Sequence, residues 1–331
     1  MTTKVSVILT VLNEGNNLRE LLDALCAQSF PPDEIVIIDG GSRDGTIGIL
    51  EDYATRDGRF RVFTERGVNI ATGRNSAIRK AVHSIIAVTD GGCRPDVDWL
   101  RELVRPLLED VTIGAVAGAY SLNPRNRFEY FSGLLCMPND MDIEESRLFY
   151  GRSSAFRRSA WEEAGGYPEW LYTAEDTLFA LKVRQLGYRI AYAKLAVVNW
   201  RPRPSLWKMV KMFYLYGRGN GRITRGNMKG ALYHLRNHLV WFITLILGVF
   251  FPVLLLVSLA TLIYLYYVMV RPVLCEVRSN TSDRWRELYV PVIVLFRNIA
   301  TNLGYMHGTL EYRYHNNFKN KLHEYLLGTN D

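Results

Sequence analysis

A run of 32 residues, 239–270, carries no charged side chain. As one α-helix it would extend about 48 Å, well beyond the roughly 30 Å hydrocarbon core of a bilayer. Because Pro252 lies near its middle, two short, tilted or re-entrant helices that separate near Pro252 fit the run better than one straight span. The alternative, a buried core helix, would be much shorter. A third apolar stretch, 288–299, contains Arg297 and Asn298, and we expect it to lie in the membrane interface.

The distribution of charge divides the chain, whose 331 residues carry a net charge of +7. Residues 177–275 contain 14 Lys or Arg and neither Asp nor Glu. Nine of these basic residues lie between Arg201 and Arg236, among aromatic side chains and just before the uncharged run. Basic residues beside an apolar span mark its cytoplasmic side, and with aromatic residues they suit anionic headgroups. Nucleic acid also binds such patches, but the adjoining apolar run favours membrane lipid as the partner and no nucleic acid.

The cysteines and the N-terminus indicate a cytosolic compartment for the first part of the chain. The four cysteines are widely spaced and form no CxxC pair, as expected of reduced thiols. The first apolar run, residues 5–12, is interrupted by Ser6 and Thr10 and is too short for a signal peptide. We therefore predict a cytoplasmic domain attached to the cell membrane by the C-terminal part.

The first 120 residues alternate strand-like and helix-like patterns. Short β-branched runs predict five strands, at residues 5–11, 35–38, 61–64, 85–89 and 115–119. The segments between them carry apolar residues at the spacing of an amphipathic helix. This alternation predicts an α/β fold with a mostly parallel central sheet and flanking helices. We expect an α/β domain at 1–200, a basic and aromatic interface segment at 201–237, and membrane-embedded and interfacial helices at 238–331.

Two of the predicted strands end in an aspartate followed by glycines. The second strand continues into Asp39-Gly40-Gly41-Ser42-Arg43-Asp44-Gly45-Thr46, and the fourth into Asp90-Gly91-Gly92-Cys93. Because open α/β sheets bind ligands at the carboxyl ends of their strands, both aspartates are candidate ligand-binding residues. An aspartate in either position could also serve only to begin a turn.

Five motifs in order along the chain resemble those of family 2 glycosyltransferases with the GT-A fold: Thr10-Val11-Leu12-Asn13-Glu14, the Asp39 motif, Gly73-Arg74-Asn75, the Asp90 turn and Thr173-Ala174-Glu175-Asp176. The resemblance covers roughly residues 4–200. The C-terminal part is similar, less specifically, to membrane segments of bacterial polysaccharide- and glycolipid-assembly members. The resemblance implies a GT-A nucleotide-diphospho-sugar transferase fold and inverting transfer from a nucleotide sugar. UDP is the commonest donor nucleotide in that family.

The resemblance also implies roles for individual residues. Eight of them would contact the donor nucleotide sugar: Thr10, Asn13, Glu14, Asp39, Arg74, Asn75, Asp90 and Gly91. Asp176, with Glu175 beside it, would be the general base that takes the proton from the acceptor hydroxyl. Both acids also fit the first turn of a predicted helix at 176–187, where the helix dipole favours negative charge and Thr173 can cap the helix.

Asp90 stands where the family has its Asp-x-Asp metal-binding motif. The resemblance therefore implies that Asp90 binds Mg²⁺ or Mn²⁺ together with the donor diphosphate. The third position of the motif is Gly92, so we expect fewer protein carboxylates than usual at this metal. Asp96 and Asp98 follow closely, but Pro95 and the chain direction carry them away from the turn.

Two further segments are similar to family loops around the donor sugar and the acceptor: Tyr150-Gly151-Arg152-Ser153-Ser154-Ala155-Phe156 and Gly165-Gly166-Tyr167. An ordinary strand and turn would explain them equally well. The Gln-x-x-Arg-Trp motif of processive synthases is missing after residue 176, since Arg284-Trp285 lies beyond the apolar run. This departure favours a non-processive enzyme.

A glycine- and arginine-rich stretch occupies the place of that motif. Its candidate contacts with a lipid-linked acceptor phosphate are Arg201, Arg203, Arg218 and Arg222. Glycine backbone and guanidinium groups can wrap a diphosphate, although a solvated basic loop on headgroups is the alternative. We predict transfer of one sugar to a hydroxyl of a lipid-linked saccharide at the cytoplasmic membrane face. The alternatives are transfer to a polyprenyl phosphate, a GT-A-like nucleotidyltransferase, and a scaffold with a degenerate domain.

Overall fold

The computed structural model describes residues 4–15, 17–137, 148–224 and 229–327, without the side chains of His234 and Asn316. The chain forms two compact units. Unit 1 comprises Met1–Asn123 and Pro138–Arg201, and unit 2 comprises Pro124–Met137 and Pro202–Asp331. The predicted division at residues 200 and 237 into catalytic, interfacial and membrane-embedded segments stays a prediction.

Unit 1 alternates strands and helices. Its strands are β1 (Val5–Val11), β2 (Glu34–Asp39), β3 (Phe60–Thr64), β4 (Ile85–Thr89), β5 (Cys93–Pro95), β6 (Ile113–Leu122), β7 (Ser153–Arg157) and β8 (Arg189–Trp200). Its helices are α1 (Asn17–Cys26), α2 (Thr46–Arg56), α3 (Ile70–Lys80), α4 (Trp99–Glu109), α6 (Arg158–Glu163) and α7 (Glu175–Gln185), while α5 (Arg127–Leu134) belongs to unit 2. All five predicted strands form, and the predicted α/β fold is confirmed.

The strands form one sheet in the order β3-β2-β1-β4-β7-β6-β8-β5. Strands β1 to β4 pair in parallel, as do β6 and β8. In contrast, β7 runs antiparallel to both β4 and β6, and β5 runs antiparallel to β8. The sheet is therefore mixed, and its parallel half carries the Asp39 and Asp90 motifs.

Burial of β-branched residues fixes the parallel half. Every residue of β2 and β4 is buried, as is typical of strands covered on both faces. Each buried valine or isoleucine contributes about 1.5–3 kcal/mol relative to an exposed one. Val11 pairs with Asp39, which in turn pairs with Thr64, so these three residues lie side by side at the carboxyl edge of the sheet.

Unit 2 is helical where the structure describes it. Beyond α5 it contains α8 (Leu206–Ile223), α9 (Lys229–Leu247), α10 (Val253–Leu265), a π-helical turn (Tyr266–Val270), α11 (Arg271–Asn280), α12 (Arg286–Tyr314) and α13 (Asn316–Leu327). Pro252 is the N-cap of α10, which confirms the predicted separation of two helices near this residue. Val253–Asn280 is a continuous helical segment of 28 residues with a mean hydropathy of 2.4 and 11% burial in its most apolar window. It is the one helix among the described residues that is long and apolar enough to cross a membrane.

The glycine-containing part of the glycine- and arginine-rich stretch, residues 216–222, is helical and not a loop, whereas Arg201 and Arg203 precede the helix. This helical part forms the second half of α8, in which Gly217 and Gly221 face Gly304 and Gly308 of α12. A Cβ atom on Gly308 would lie 2.0 Å from the carbonyl oxygen of Arg218. Glycine at these positions therefore allows two helix backbones to touch, which a loop prediction from composition could not anticipate.

Candidate functional site

Hydrogen bonds join the loop after β1 to the loop after β2. The backbone N–H of Asn13 donates to the Ser42 hydroxyl at 2.8 Å, and that of Glu14 donates to the Thr46 hydroxyl at 3.0 Å. Asn13 has a φ of 55°, a left-handed conformation that asparagine tolerates better than most residues. The structure thus brings Asn13 and Glu14 beside the Asp39 motif, as the predicted nucleotide site requires.

The Asp39 carboxylate is fully buried and already accepts three hydrogen bonds. Its Oδ2 atom accepts from the N–H groups of Gly41 and Ser42, each at 2.9 Å, and its Oδ1 atom accepts from the Ser42 hydroxyl at 2.5 Å. Gly41 has a φ of 97°, and a Cβ atom there would lie 2.9 Å from the Arg66 side chain. Asp39 therefore shapes its own loop and keeps one further acceptor position, on Oδ1, for a nucleotide base.

Thr10 and Glu14 each pack against a glycine. A Cβ atom on Gly73 would lie 2.7 Å from the Thr10 methyl group, and one on Gly91 would lie 2.8 Å from the Glu14 carboxyl carbon. These close approaches bring α3 against the end of β1 and place the Asp90 turn beside the loop after β1. The end of β1, the loop after it, α3 and the Asp90 turn therefore meet at one edge of unit 1.

Arg74 lies at the centre of a cluster of acids. Its side chain is 3% exposed, and its Nη1 and Nη2 atoms donate to Glu175 at 3.0 Å and to Asp90 at 2.8 Å. The guanidinium carbon lies 5.4 Å from the centroid of the Tyr167 ring, within cation–π distance. Burial alone would lower the pKa of Arg74, but Asp90, Tyr167 and Glu175 raise it above its ordinary value.

Glu175 and Asp176 begin α7, in agreement with the predicted helix. Asp176 is partly exposed and accepts a hydrogen bond from the N–H of Gly151 at 3.2 Å. Burial and the neighbouring Asp176 carboxylate raise the pKa of Glu175 to about 7, against the opposing charge of Arg74. Ala174, which precedes them, has a φ of 67°, a left-handed conformation that costs alanine about 1–2 kcal/mol. Such strain is often concentrated at functional sites.

A divalent metal ion at this edge would be held by Asp90 with few other protein ligands. The Asp90 side chain is 37% exposed, whereas Asp96 accepts from Asn199 and Asp98 from Ser29, both at 2.5 Å. Within the described ranges, no three His, Cys, Asp or Glu side chains are grouped to hold a metal. Mg²⁺ bound to substrate phosphates often uses one or two protein carboxylates and completes its shell with water. Asp90 fits that arrangement.

The resemblance assigns Asn75 to donor binding, but its side-chain amide is hydrogen-bonded to residues 161–169. Its oxygen accepts from the Trp161 indole at 3.0 Å and from the N–H of Tyr167 at 2.8 Å. Its nitrogen donates to the carbonyl of Tyr167 at 2.8 Å and to the Glu169 carboxylate at 2.9 Å. Asn75 therefore holds residues 165–169, and with them the Tyr167 ring, against Arg74. Sequence reasoning did not identify Glu169 or Trp161, which carry no motif signal of their own.

Arg152 is a further cation next to this cluster. Its guanidinium carbon lies 4.1 Å from the centroid of the Trp200 ring and 5.9 Å from that of Tyr120. The preceding residue, Gly151, donates its N–H to Asp176. A stacked guanidinium of this kind is suited to phosphate oxygens, and its only sequence signal was the loop at 150–156.

The four candidate phosphate-binding arginines are not equivalent. Arg201 ends unit 1 and Arg203 is exposed in unit 2, whereas Arg218 and Arg222 both donate to the Glu311 carboxylate. Burial alone would raise the pKa of Glu311, but hydrogen bonds and charge from the two arginines lower it to about 2. Sequence reasoning missed Glu311, because it lies 93 residues from Arg218 and 89 from Arg222.

Comparisons with known proteins find similarity to glycosyltransferases. The sequence profile described as Glycosyl transferase family 2 matches residues 6–164. The O-antigen chain rhamnosyltransferase RfbN of Salmonella typhimurium is 32% identical over 221 residues, which are 60% of this chain and 68% of that protein. The glycosyltransferase AglE of Haloferax volcanii is 25% identical over 221 residues, with 65% and 72% of the two chains covered.

A solved structure extends the similarity over nearly the whole chain. It is the mannosyltransferase PcManGT from Pyrobaculum calidifontis, in complex with GDP-Man and Mn²⁺. The TM-score is 0.59 at 22% sequence identity, and the match covers 95% of this chain and 89% of that one. At this identity the likeness establishes a shared fold.

Proposed function

Because this chain belongs to glycosyl transferase family 2 and has the GT-A fold, we propose that it transfers one sugar from a nucleotide-diphosphate donor to a hydroxyl of a lipid-linked saccharide. The transfer is inverting and non-processive. The observation that carries this proposal is the meeting of Asp90, Arg74, Glu175 and Asp176 in unit 1. The similarity to RfbN, an O-antigen chain rhamnosyltransferase, supports an O-antigen type of acceptor. The apolar helix Val253–Asn280 supports a lipid carrier at the cell membrane. Unit 1 then faces the cytoplasm.

Donor binding is assigned to the loops after β1, β2 and β4. Uridine is the expected base, and its ring N–H would donate to the acceptor position that Asp39 keeps on Oδ1. Asp90 would hold Mg²⁺ or Mn²⁺ together with the diphosphate, and a bound ion there would neutralise the charge of the leaving phosphate. The stacked Arg152 provides a second positive charge for that phosphate.

Asp176 is assigned as the general base. The acceptor oxygen forms a bond to the anomeric carbon while the bond from that carbon to the donor phosphate breaks, and the hydroxyl proton passes to Asp176. A single displacement of this kind inverts the configuration at the anomeric carbon. The N–H groups of Gly151 and Thr177 donate to this carboxylate at 3.2 and 2.7 Å and orient it at the start of α7.

Contact with the phosphate of the lipid carrier is assigned chiefly to Arg203, which is exposed in unit 2. Arg218 and Arg222 share one carboxylate, Glu311, so together they keep one unit of positive charge for a lipid phosphate. Because Glu311 already neutralises one of the two charges, Arg218 and Arg222 are assigned as weaker phosphate contacts than the exposed Arg203.

Replacement of Asp176 by asparagine tests this function. We expect Asp176→Asn to bind UDP with Mn²⁺ at the wild-type Kd and to transfer sugar roughly 10²–10⁴-fold more slowly, the usual share of general-base catalysis. Transfer is measured with UDP-glucose, UDP-galactose, UDP-N-acetylglucosamine, GDP-mannose and dTDP-rhamnose, with membrane extract as the source of lipid-linked acceptors. Asp52→Asn, at a partly exposed position of α2 where the side chain pairs with Arg56, is the matched control and should keep wild-type activity.

Three outcomes would contradict the proposal. Transfer by Asp176→Asn at the wild-type rate would show that Asp176 serves only at the start of the helix. A polyprenyl phosphate would then be the better acceptor, because it is already an anion and needs no general base. Formation of a nucleotide sugar from a nucleoside triphosphate, with release of pyrophosphate, would indicate a nucleotidyltransferase. Failure of the wild-type protein to bind any of the nucleotides would indicate a scaffold.

A further inference from the structure

Arg74 is almost completely buried. Its side chain is 3% exposed, whereas that of Asp90, to which it donates, is 37% exposed. One side of the guanidinium faces the ring of Tyr167, a residue that is itself 1% exposed. The arginine therefore lies beneath the acids that can meet a substrate and is not itself part of the surface.

The guanidinium joins two elements that approach the site from different parts of the chain. Asp90 follows β4, 16 residues from Arg74, and Glu175 begins α7, 101 residues from it. A planar guanidinium holds two carboxylates at a fixed angle and distance, which a lysine ammonium cannot do. Without it, the carboxylates of Asp90, Glu175 and Asp176 would repel one another.

Gly151 contacts both the arginine and the general base. A Cβ atom on Gly151 would lie 2.0 Å from Nη2 of Arg74 and 2.5 Å from its guanidinium carbon. The N–H of the same glycine donates to Asp176 at 3.2 Å. Any side chain at position 151 must therefore displace the guanidinium, and this movement would break its hydrogen bonds with Asp90 and Glu175.

We propose that Arg74 is a positioning residue that fixes the Asp90 carboxylate relative to the Glu175-Asp176 start of α7, and that Gly151 is the glycine that leaves room for it. This inference rests on the proposed function and deepens it. Arg74 acts through Asp90 and Asp176 and does not touch the donor. It sets the distance between the side of the site that holds the diphosphate and the side that deprotonates the acceptor.

Arg74→Lys separates positioning from donor binding. The lysine keeps the positive charge but cannot bind both carboxylates in one geometry. We expect kcat to fall on the order of 10²-fold, the loss that a displacement of about 1 Å can cause, while the Kd for UDP with Mn²⁺ stays within about 3-fold. Kd is measured by calorimetry, and kcat with the nucleotide sugar that the wild-type protein uses fastest.

Gly151→Ala tests the same guanidinium from the other side. We expect a similar loss of kcat, and the double variant with Arg74→Lys should lose little more than either single variant, because both changes displace one group. The same non-additivity is expected in thermal midpoints, a measurement that needs no sugar transfer. Gly48→Ala on α2, where no atom lies within 4 Å of the added Cβ, is the control and should behave as wild type.

Each remaining outcome overturns the positioning role. A rise in Kd of ten-fold or more with kcat preserved would make Arg74 a donor ligand. A loss of kcat that only matches the unfolded fraction at the assay temperature would show that Arg74 stabilises the fold and does not position the acids. Full additivity of the two substitutions would show that Gly151 does not act through Arg74. If the wild-type protein transfers none of the sugars, the proposed function fails, while the Kd and the thermal cycle still decide the role of Arg74.

Discussion

At the scale of single residues, Glu175 gives unit 1 a stability that depends on pH. Its pKa in the folded protein is about 7, compared with an ordinary value of 4.5. Between these two pH values the unfolded chain has released the proton that the folded chain retains. Because the folded state binds more protons in this window, the free energy of unfolding falls as pH rises through it.

Glu175→Gln should remove this dependence. The glutamine keeps the size of the side chain and can still accept from Arg74, but it carries no charge at any pH. At each pH the thermal midpoint of wild type is subtracted from that of the variant. We expect this difference to be at least about 2 °C larger at pH 8 than at pH 5, because only wild type loses stability over this range. The protein is kept in EDTA so that no cation alters the charge near Asp90.

Glu162→Gln is the matched control, since Glu162 is exposed on α6. Its midpoint relative to wild type should stay constant over the same pH range. If Glu175→Gln also shows a constant difference, the carboxyl of Glu175 does not titrate within the window and is ionised throughout it. Its pairing with Arg74 would then outweigh its burial.

At the scale of helices, the crossing of α8 and α12 determines the packing of unit 2. Gly217, Gly221, Gly304 and Gly308 each lie so close to the opposite backbone that an added Cβ atom would come within 2.0–2.2 Å of a carbonyl oxygen. The same crossing allows one carboxylate, Glu311, to bind arginines from the last two turns of α8. Backbone contact and ion pairing therefore depend on each other.

Gly304→Val should separate the two helices. A Cβ atom at this position would lie 2.0 Å from the carbonyl oxygen of Tyr214, so the backbones must move apart. We expect a loss of about 1–3 kcal/mol from overpacking, measured as a lower thermal midpoint in detergent. Gly230→Val on α9, where no atom lies within 4 Å of the added Cβ, is the control. Equal midpoints for the two variants would show that the crossing is not tight in solution.

At the scale of the whole molecule, the apolar helix Val253–Asn280 predicts an integral membrane protein. Its 28 residues would extend about 42 Å, enough to cross a bilayer with some tilt. We expect the full-length protein to remain in the membrane pellet after a carbonate wash at high pH. Release of the full-length protein into the supernatant would contradict this.

A charged pair in the same helix gives the matched comparison. Leu259→Arg together with Leu262→Arg should lower the retained fraction, because each arginine near the centre of a span costs about 3 kcal/mol. Val82→Arg, at a position in unit 1 that is 68% exposed, should leave retention unchanged. Equal retention of the two variants would place Val253–Asn280 outside the bilayer.

The sequence by itself determined the fold class and five of the eight strands that the structure describes. Strands such as β2 and β4 are recognisable because burial on both faces requires a continuous run of β-branched residues. The separation of α9 and α10 follows from Pro252, since proline lacks the N–H that continues a helix. The spacing of the motifs around Asp39, Asp90 and Asp176 was enough to indicate the family.

Only the tertiary structure decided what these residues contact. Arg74 binds Asp90 and Glu175, and Asn75 is bound to residues 161–169. The stretch around Gly217 became a helix because its glycines meet α12 nearly ninety residues later. Local sequence records burial and backbone preference, which act over a few residues. Hydrogen bonds and close backbone contacts between distant segments depend on where the folded chain brings them together, and no local pattern encodes that distance.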